Sequence, residues 1–350
     1  MIKPDKPRLV FWELTKSCNL RCIHCRAEAD SGIFKNELDT DNIKRIIDDI
    51  ASFASPILVL TGGEPLFRKD IFTIADYANK KDLRTALATN GTLIDKEIAL
   101  KIKAAGIQRV SISIDGRDAI SHDSFRGIEG SFAKAIRGAS FLKETNVEFQ
   151  FNTTITKRNS GEIEGIILLA EKTGAKALHI FMLVPVGCGA DIAETEMLSK
   201  QEYEDTLTWL YERMKSSHLE FKATCAPPYY RIIRQKAKAE GRGLSLQSDG
   251  MAAMTRGCLA GTGVCFISNT GNVQPCGYLP VIAGNVNEKS FKEIWENSVL
   301  FNELRDIANL KGKCGICRYK QYCAGCRARA YYATGSYMDE EPYCVYIPGY

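Results

Sequence analysis

The chain has 350 residues, 46 Lys and Arg against 42 Asp and Glu, a net charge of +4, and 45% hydrophobic residues. That balance suits a globular protein with a large core and excludes disordered and fibrous classes. So small a charge over this length argues against a nucleic-acid or membrane-surface partner. The departure from ordinary composition is 13 cysteines, an odd number that cannot pair completely within one chain.

Lys3, Asp5, Lys6 and Arg8 break up the N-terminus, so no secretory signal is expected. No apolar run reaches the roughly 18 residues of a membrane-spanning helix. The expected compartment is the cytoplasm, where thiols stay reduced and clustered cysteines serve metal binding or catalysis.

Residues 8–14 read as a strand. A helix is predicted over 39–53 from Ile43, Ile46, Ile47 and Ile50 at three-to-four spacing. Strands at 57–60, 84–89, 108–114, 148–155 and 176–184 then alternate with helices at 70–79, 95–105, 131–145 and 160–173. Six strands with crossover helices imply a parallel α/β sheet, whose chemistry sits at the carboxyl ends of the strands. After Pro185 the alternation stops. A helix over 199–216 is a displaced sixth helix, and 216–254 reads as an irregular linker. The predicted organisation is therefore 1–215, the α/β unit; 216–254, the linker; and 255–350, a cysteine-rich unit with one helix over 291–307.

After the first strand comes Cys18-Asn-Leu-Arg-Cys22-Ile-His-Cys25. Three thiolates in eight residues can wrap one face of a metal centre. A [4Fe–4S] cluster wants four ligands, so three leave one iron open to a substrate amine and carboxylate. A structural zinc loop is the alternative, although such sites usually close with four ligands. Thr61-Gly62-Gly63-Glu64-Pro65 follows the second strand: the glycines permit close backbone approach, Glu64 supplies a carboxylate and Pro65 stiffens the exit. Thr89-Asn90-Gly91 ends the third strand. Ser111, Ser113 and Asp115 share one face at the end of the fourth, and Asn152 lies on the fifth. Each could instead be ordinary turn chemistry. His122 to Arg126 reads as a surface helix start with a salt bridge, or as an arginine facing an anionic substrate group.

Eight cysteines occupy the last third: Cys258, Cys265, Cys276, Cys314, Cys317, Cys323, Cys326 and Cys344. Eight thiolates suit two four-coordinate centres, iron–sulfur or zinc. Cys188 and Cys225 read as plain small residues, Cys188 standing where it could touch substrate.

The C-x3-C-x2-C loop after the first strand of this α/β pattern resembles the radical S-adenosylmethionine (SAM) superfamily. The resemblance implies a partial (β/α)6 barrel of TIM type, with Cys18, Cys22 and Cys25 holding a [4Fe–4S] cluster. SAM would bind the open iron and be cleaved reductively to a 5′-deoxyadenosyl radical, given a low-potential electron donor. Gly62, Gly63, Glu64 and Pro65 would face the SAM amine. Thr89 and Asn90 would line the pocket, and Ser113 or Asp115 with Asn152 would lie near the ribose or carboxylate. His24 would pack by the adenine. The tail resembles the SPASM extension, which carries auxiliary [4Fe–4S] clusters. Its crossed pattern implies Cys258, Cys265, Cys276 and Cys326 at one centre and Cys314, Cys317, Cys323 and Cys344 at the other. Two residues separate Cys323 from Cys326, where the family commonly has three.

Seventeen residues precede Cys18, which leaves no room for the N-terminal peptide-recognition domain of many peptide-modifying SPASM enzymes. With Phe181-Met-Leu-Val-Pro185, Cys225-Ala-Pro-Pro228 and Glu340-Glu-Pro-Tyr-Cys344, the chain resembles the tetrapyrrole-modifying branch, and within it the iron-coproporphyrin III decarboxylases. That implies conversion of two propionates to vinyl groups, with an auxiliary cluster as electron acceptor. Arg126, Arg327 and Arg329 are candidates for propionate contacts, or are solvated or structural. Removal of side chains from didecarboxysirohaem, haem d1 synthesis, peptide maturation, and a non-enzymatic Fe–S carrier or zinc protein are the alternatives.

Overall fold

Asp39 starts the first helix. Its carboxylate accepts from the Asn42 amide at 2.8 Å, and Thr40–Phe53 follows, burying Ile43, Ile46, Ile47 and Ile50 against the sheet. Each such burial contributes about 1.5–3 kcal/mol. In the computed structural model, residues 5–245, 249, 253 and 255–349 are described. The strands are β1 (Leu9–Glu13), β2 (Ile57–Thr61), β3 (Thr85–Thr89), β4 (Arg109–Ser113), β5 (Glu148–Ile155), β6 (Ala177–Met182), β7 (Glu220–Thr224), β8 (Val264–Ile267), β9 (Asn272–Gln274) and β10 (Gly284–Asn285).

Among the described residues they form one sheet in the order β10-β9-β8-β1-β2-β3-β4-β5-β6-β7. β1 to β7 are parallel neighbours and stay open beyond β7, which makes a partial barrel. Val110, Ile112, Phe151, Leu178, Ile180 and Ala223 are buried under the helices. The alternate residues therefore face the barrel interior.

Two expectations change in the last third. Residues 216–254 are not uniformly irregular: β7 pairs with β6, and the helix Pro228–Ala239 buries Tyr229, Tyr230, Ile232 and Ile233. Positions 246–248, 250–252 and 254 of that segment lie outside the described residues. The helix expected over 291–307 breaks at Ser298, whose extended backbone (ψ 127°) separates Phe291–Asn297 from Val299–Arg305. The cysteine-rich tail also joins the main sheet, because β8 lies parallel to β1, Val10 opposite Cys265. No helix among the described residues is long and apolar enough to cross a membrane.

Candidate active site and auxiliary centres

The loop after β1 is held by backbone first. The Cys18 amide donates to Asp30 O at 2.7 Å and the Cys25 amide to Cys22 O at 3.1 Å. N–H groups then surround the thiols: Leu20 N to Cys18 Sγ and Ala29 N to Cys25 Sγ, each 3.4 Å, Arg126 Nη1 to Cys22 Sγ at 3.6 Å and Asn90 Nδ2 to Cys18 Sγ at 3.9 Å. Burial pushes the Cys18 thiol up to about 11 and raises Cys22 as well, the latter against the pull of Arg126. Three thiols, each approached by an N–H donor, suit a cluster whose thiolates need charge compensation.

The Gly62-Gly63 pair serves this loop directly. A Cβ on Gly62 would sit 2.5 Å from Thr15 O, and one on Gly63 2.6 Å from Lys16 O and Ser17 O. The glycines thus admit the backbone that leads into Cys18. The Glu64 carboxylate, fully buried, accepts from Thr89 Oγ1 (2.7 Å), Asn90 N (2.8 Å) and Leu66 N (3.1 Å). Burial still pushes it up to about 7. It fastens β2 to β3, with Pro65 opening a short 3-10 turn. Asn90 Nδ2 continues the link to Asn19 Oδ1 at 2.9 Å.

Asp115 is a strut. It is 0% exposed; its Oδ1 accepts from Thr154 N at 2.7 Å, and its Oδ2 pairs with Arg126 and lies 3.4 Å from His24 Nε2. Burial opposes its ionisation, yet Arg126 and then His24 hold the carboxyl below the usual range. Both of its carboxylate oxygens are thus engaged within the protein. Arg126 is neither a surface salt bridge nor a free anion binder. Asp115 and the Cys22 and Cys25 thiolates outweigh the cost of burying its charge. The helix that presents it, Ala119–Arg126, runs from the Asp118 cap to Gly127 at φ 72°, two end signals that the sequence carries. His24 packs edge-on to Phe125 at 4.5 Å; burial lowers it to about 4, and its Nδ1 is a buried polar atom without a partner among the described residues. Ser113, Asn152, His179 and Lys222 stand in register across β4 to β7 on the inner face. Gln150 Nε2 ties Asn152 Oδ1 to His179 Nδ1, each at 2.8 Å. Burial lowers the Lys222 amine, which has no carboxylate partner among the described residues.

In the tail, Cys314, Cys317, Cys323 and Cys344 line one cleft, with Arg231, Lys313 and Lys320 on its wall. Among the described residues no three Cys, His, Asp or Glu side chains are arranged to hold a single ion. Four thiols lining one cleft suit a multi-iron cluster. Arg329 and Glu341, each 1% exposed, pair at 3.0 Å; Glu341 also accepts from Cys326 N at 2.6 Å, and its amide donates to Cys314 Sγ at 3.3 Å. Arg327 donates to Tyr337 O and Asp339 O at 2.8 and 2.7 Å. Both arginines are internal clamps, so neither is available to a propionate. Cys258 and Cys326 are electrostatic neighbours of Cys276. Cys265 is not among them: its thiol is fully buried on β8, with Arg305 as its charged neighbour. The expected set Cys258, Cys265, Cys276 and Cys326 is therefore not brought together. The Cys225 thiol has Cys326, Cys276 and Cys258 as its charged neighbours, and the sequence reading passed it over because no C-x2-C pattern marks it.

The family model of the radical SAM superfamily matches residues 12–170, and that of an iron–sulfur cluster-binding domain, SPASM, matches 258–327. A relative named AdoMet-dependent heme synthase, from Methanosarcina barkeri, is 54% identical over 345 residues, 99% of this chain and 98% of that protein. The chain belongs to the radical SAM superfamily. A second AdoMet-dependent heme synthase, from Nitratidesulfovibrio vulgaris, is 49% identical over 97% of this chain and 93% of its own length. Streptococcus suis SuiB, solved bound to S-adenosylmethionine, shares the fold with TM-score 0.75 at 17% identity, over 97% of this chain and 77% of that one. As a radical SAM enzyme with a SPASM domain, the protein uses a [4Fe–4S] cluster, SAM and auxiliary iron–sulfur clusters. The thiols approached by N–H donors, the orphaned His24 Nδ1 and the four-thiol cleft fit those groups.

Proposed function

We propose that this radical SAM enzyme makes haem by oxidative decarboxylation of two propionates of iron-coproporphyrin III to vinyl groups. The observation that supports it most is 54% identity, sustained over nearly the full length of both chains, to a protein named AdoMet-dependent heme synthase. When bound, the groups described above supply a 5′-deoxyadenosyl radical at the Cys18–Cys22–Cys25 loop and a one-electron acceptor in the SPASM domain. Each side chain –CH2–CH2–COO⁻ gives up one hydrogen atom, CO2 and one electron to become –CH=CH2. The electron that starts SAM cleavage comes from a low-potential donor.

The chain's own residues orient and insulate. Cys18, Cys22 and Cys25 hold the first cluster, and Arg126, Asn90 and the Leu20 and Ala29 amides compensate its charge. Gly62 to Pro65, Thr89, Asn90, Ser113 and Asn152 shape the wall on which SAM lies, with Glu64 and Asp115 acting from beneath it. Lys222, half-buried on the inner face beside His179 and with no carboxylate partner among the described residues, is suited to a propionate carboxylate. Anaerobic incubation with SAM, dithionite and iron-coproporphyrin III tests the reading. Mass spectrometry should show two successive losses of CO2 plus two hydrogens. Production of 5′-deoxyadenosine with an unchanged porphyrin would reject the substrate while leaving the radical chemistry standing.

A further inference from the structure

We propose that Cys225, rather than Cys265, is the fourth thiolate of the auxiliary centre formed with Cys258, Cys276 and Cys326. The proposal rests on the cofactor class of the family and not on the substrate.

The sheet excludes Cys265. It pairs in register with Val10, and both are 0% exposed beneath the helices. Its neighbour Phe266 points the other way. Arg26 lies over the Phe266 ring at 4.6 Å, and a Cβ on Gly277 would come 3.3 Å from it. The Cys276–Gly277 turn is thus on the Phe266 side of β8. The pleat sends Cys265 to the opposite side, where Arg305 crosses to Gly261 O at 2.9 Å.

Cys225 is placed on the correct side by its backbone conformation and two independent contacts. It follows the last residue of β7 with a left-handed backbone, φ 52°, unusual for a residue with a Cβ and a common mark of functional turns. That turn brings Pro227 against Gly257, so closely that a Cβ there would sit 2.6 Å from Pro227 Cα, and Cys258 is the next residue. The Cys225 carbonyl accepts from Tyr203 Oη at 3.3 Å, and Tyr203 Oη accepts from Arg329 Nη2 at 2.8 Å. Arg329 sits in the first turn of the helix that Cys326 caps. Burial raises the Cys225 thiol well above its usual range, and the thiolates of Cys326, Cys276 and Cys258 raise it further. Four thiols from four separate elements converge, the arrangement a closed four-cysteine cluster requires.

Protein in which Cys18, Cys22 and Cys25 are all alanine isolates the auxiliary iron. After anaerobic reconstitution this parent should hold about eight irons and eight sulfides, as two [4Fe–4S] clusters. Cys265→Val, which refills the apolar site, should keep all of them and the same electron paramagnetic resonance spectrum. Cys225→Ala should lose iron from one cluster or give a three-iron signal. Cys225→Ser, close in volume, should retain the fold by circular dichroism but shift one cluster's g-values. Full iron and an unchanged spectrum in Cys225→Ala or Cys225→Ser would overturn the proposal. So would loss of the same iron in folded Cys265→Val, or a parent without auxiliary iron. No porphyrin enters the assay, so failure of the haem reading leaves it untouched.

Discussion

The cysteines that open the barrel and those that close the chain solve the same problem in opposite ways. Cys18, Cys22 and Cys25 come from one loop, and the fold is arranged around them: two glycines admit its backbone, and one buried arginine faces its sulfurs. In the tail, the thiols reach their centres from the end of β7, the 257–258 segment, the turn after β9 and the start of the helix Arg327–Thr334. There the fold must be complete before the ligands meet. A local site with one open position leaves room for a reacting cofactor. A site assembled from distant elements is closed, and closure suits electron storage and rigidity.

The largest break in this comparison should come from Gly63→Ala. The new Cβ meets two main-chain carbonyls at 2.6 Å, and neither can yield without moving the cysteine loop. Formation of 5′-deoxyadenosine should fall to background while the tail keeps its iron, read by iron analysis beside a SAM-cleavage assay. Arg126→Ala should come next. It strips the partner from a carboxylate that is 0% exposed, and unpairing a buried ion typically destabilises by about 3–5 kcal/mol. A lowered denaturation midpoint is expected, together with a more negative potential for the first cluster because a cation beside Cys22 is gone. Arg126→Lys should recover part of the potential shift by restoring charge without the planar fork. An unchanged potential in Arg126→Ala would mean the arginine serves packing alone.

Much of this was legible in sequence because its ligands and punctuation are local. The C-x3-C-x2-C spacing, the Gly62-Gly63 pair and the 2- and 3.6-residue periodicities each act within a few residues. The first six strands and their helices therefore fall near their expected places. Cys225 was not legible: its partners are 33, 51 and 101 positions away, and only the pairing of β7 with β6 and of β8 with β1 brings the two ends of the sheet's chain path to bear on one centre. Asp115 and Arg126 failed for a related reason. Both residue types are common on surfaces, and only the fold buries them against each other. Cys265 misled because spacing counts residues along the chain, whereas a strand alternates the direction they face.

Gly257→Ala makes the complementary test and should have a smaller effect on the radical step. Its Cβ would meet Pro227 Cα at 2.6 Å and Cys323 O at 2.8 Å, forcing apart the segments that carry Cys225 and Cys258. Iron should drop at the tail. Dithionite-driven SAM cleavage in the absence of porphyrin should persist, because the first loop is untouched. If cleavage vanished as well, the two regions would be one cooperative unit rather than two differently built sites.

The smallest effect concerns pH, and it isolates the barrel interior from both metal regions. Burial, then the charges of Lys222 and Arg109, lower His179 to about 3 from an ordinary 6.5. Below pH 6.5 the unfolded chain takes up a proton that the folded chain refuses, so this group's contribution is whole above 6.5 and is lost as pH falls toward 3. At pH 5 the loss is about 2 kcal/mol relative to pH 7.5. His179→Gln can still accept from Gln150 but cannot titrate. Its thermal midpoint should therefore fall less than that of the wild type between pH 7.5 and 5. Parallel curves for the two proteins would mean that the imidazole is charged inside the barrel, making it a second cation beside Lys222 and strengthening the case for an anionic occupant of that face.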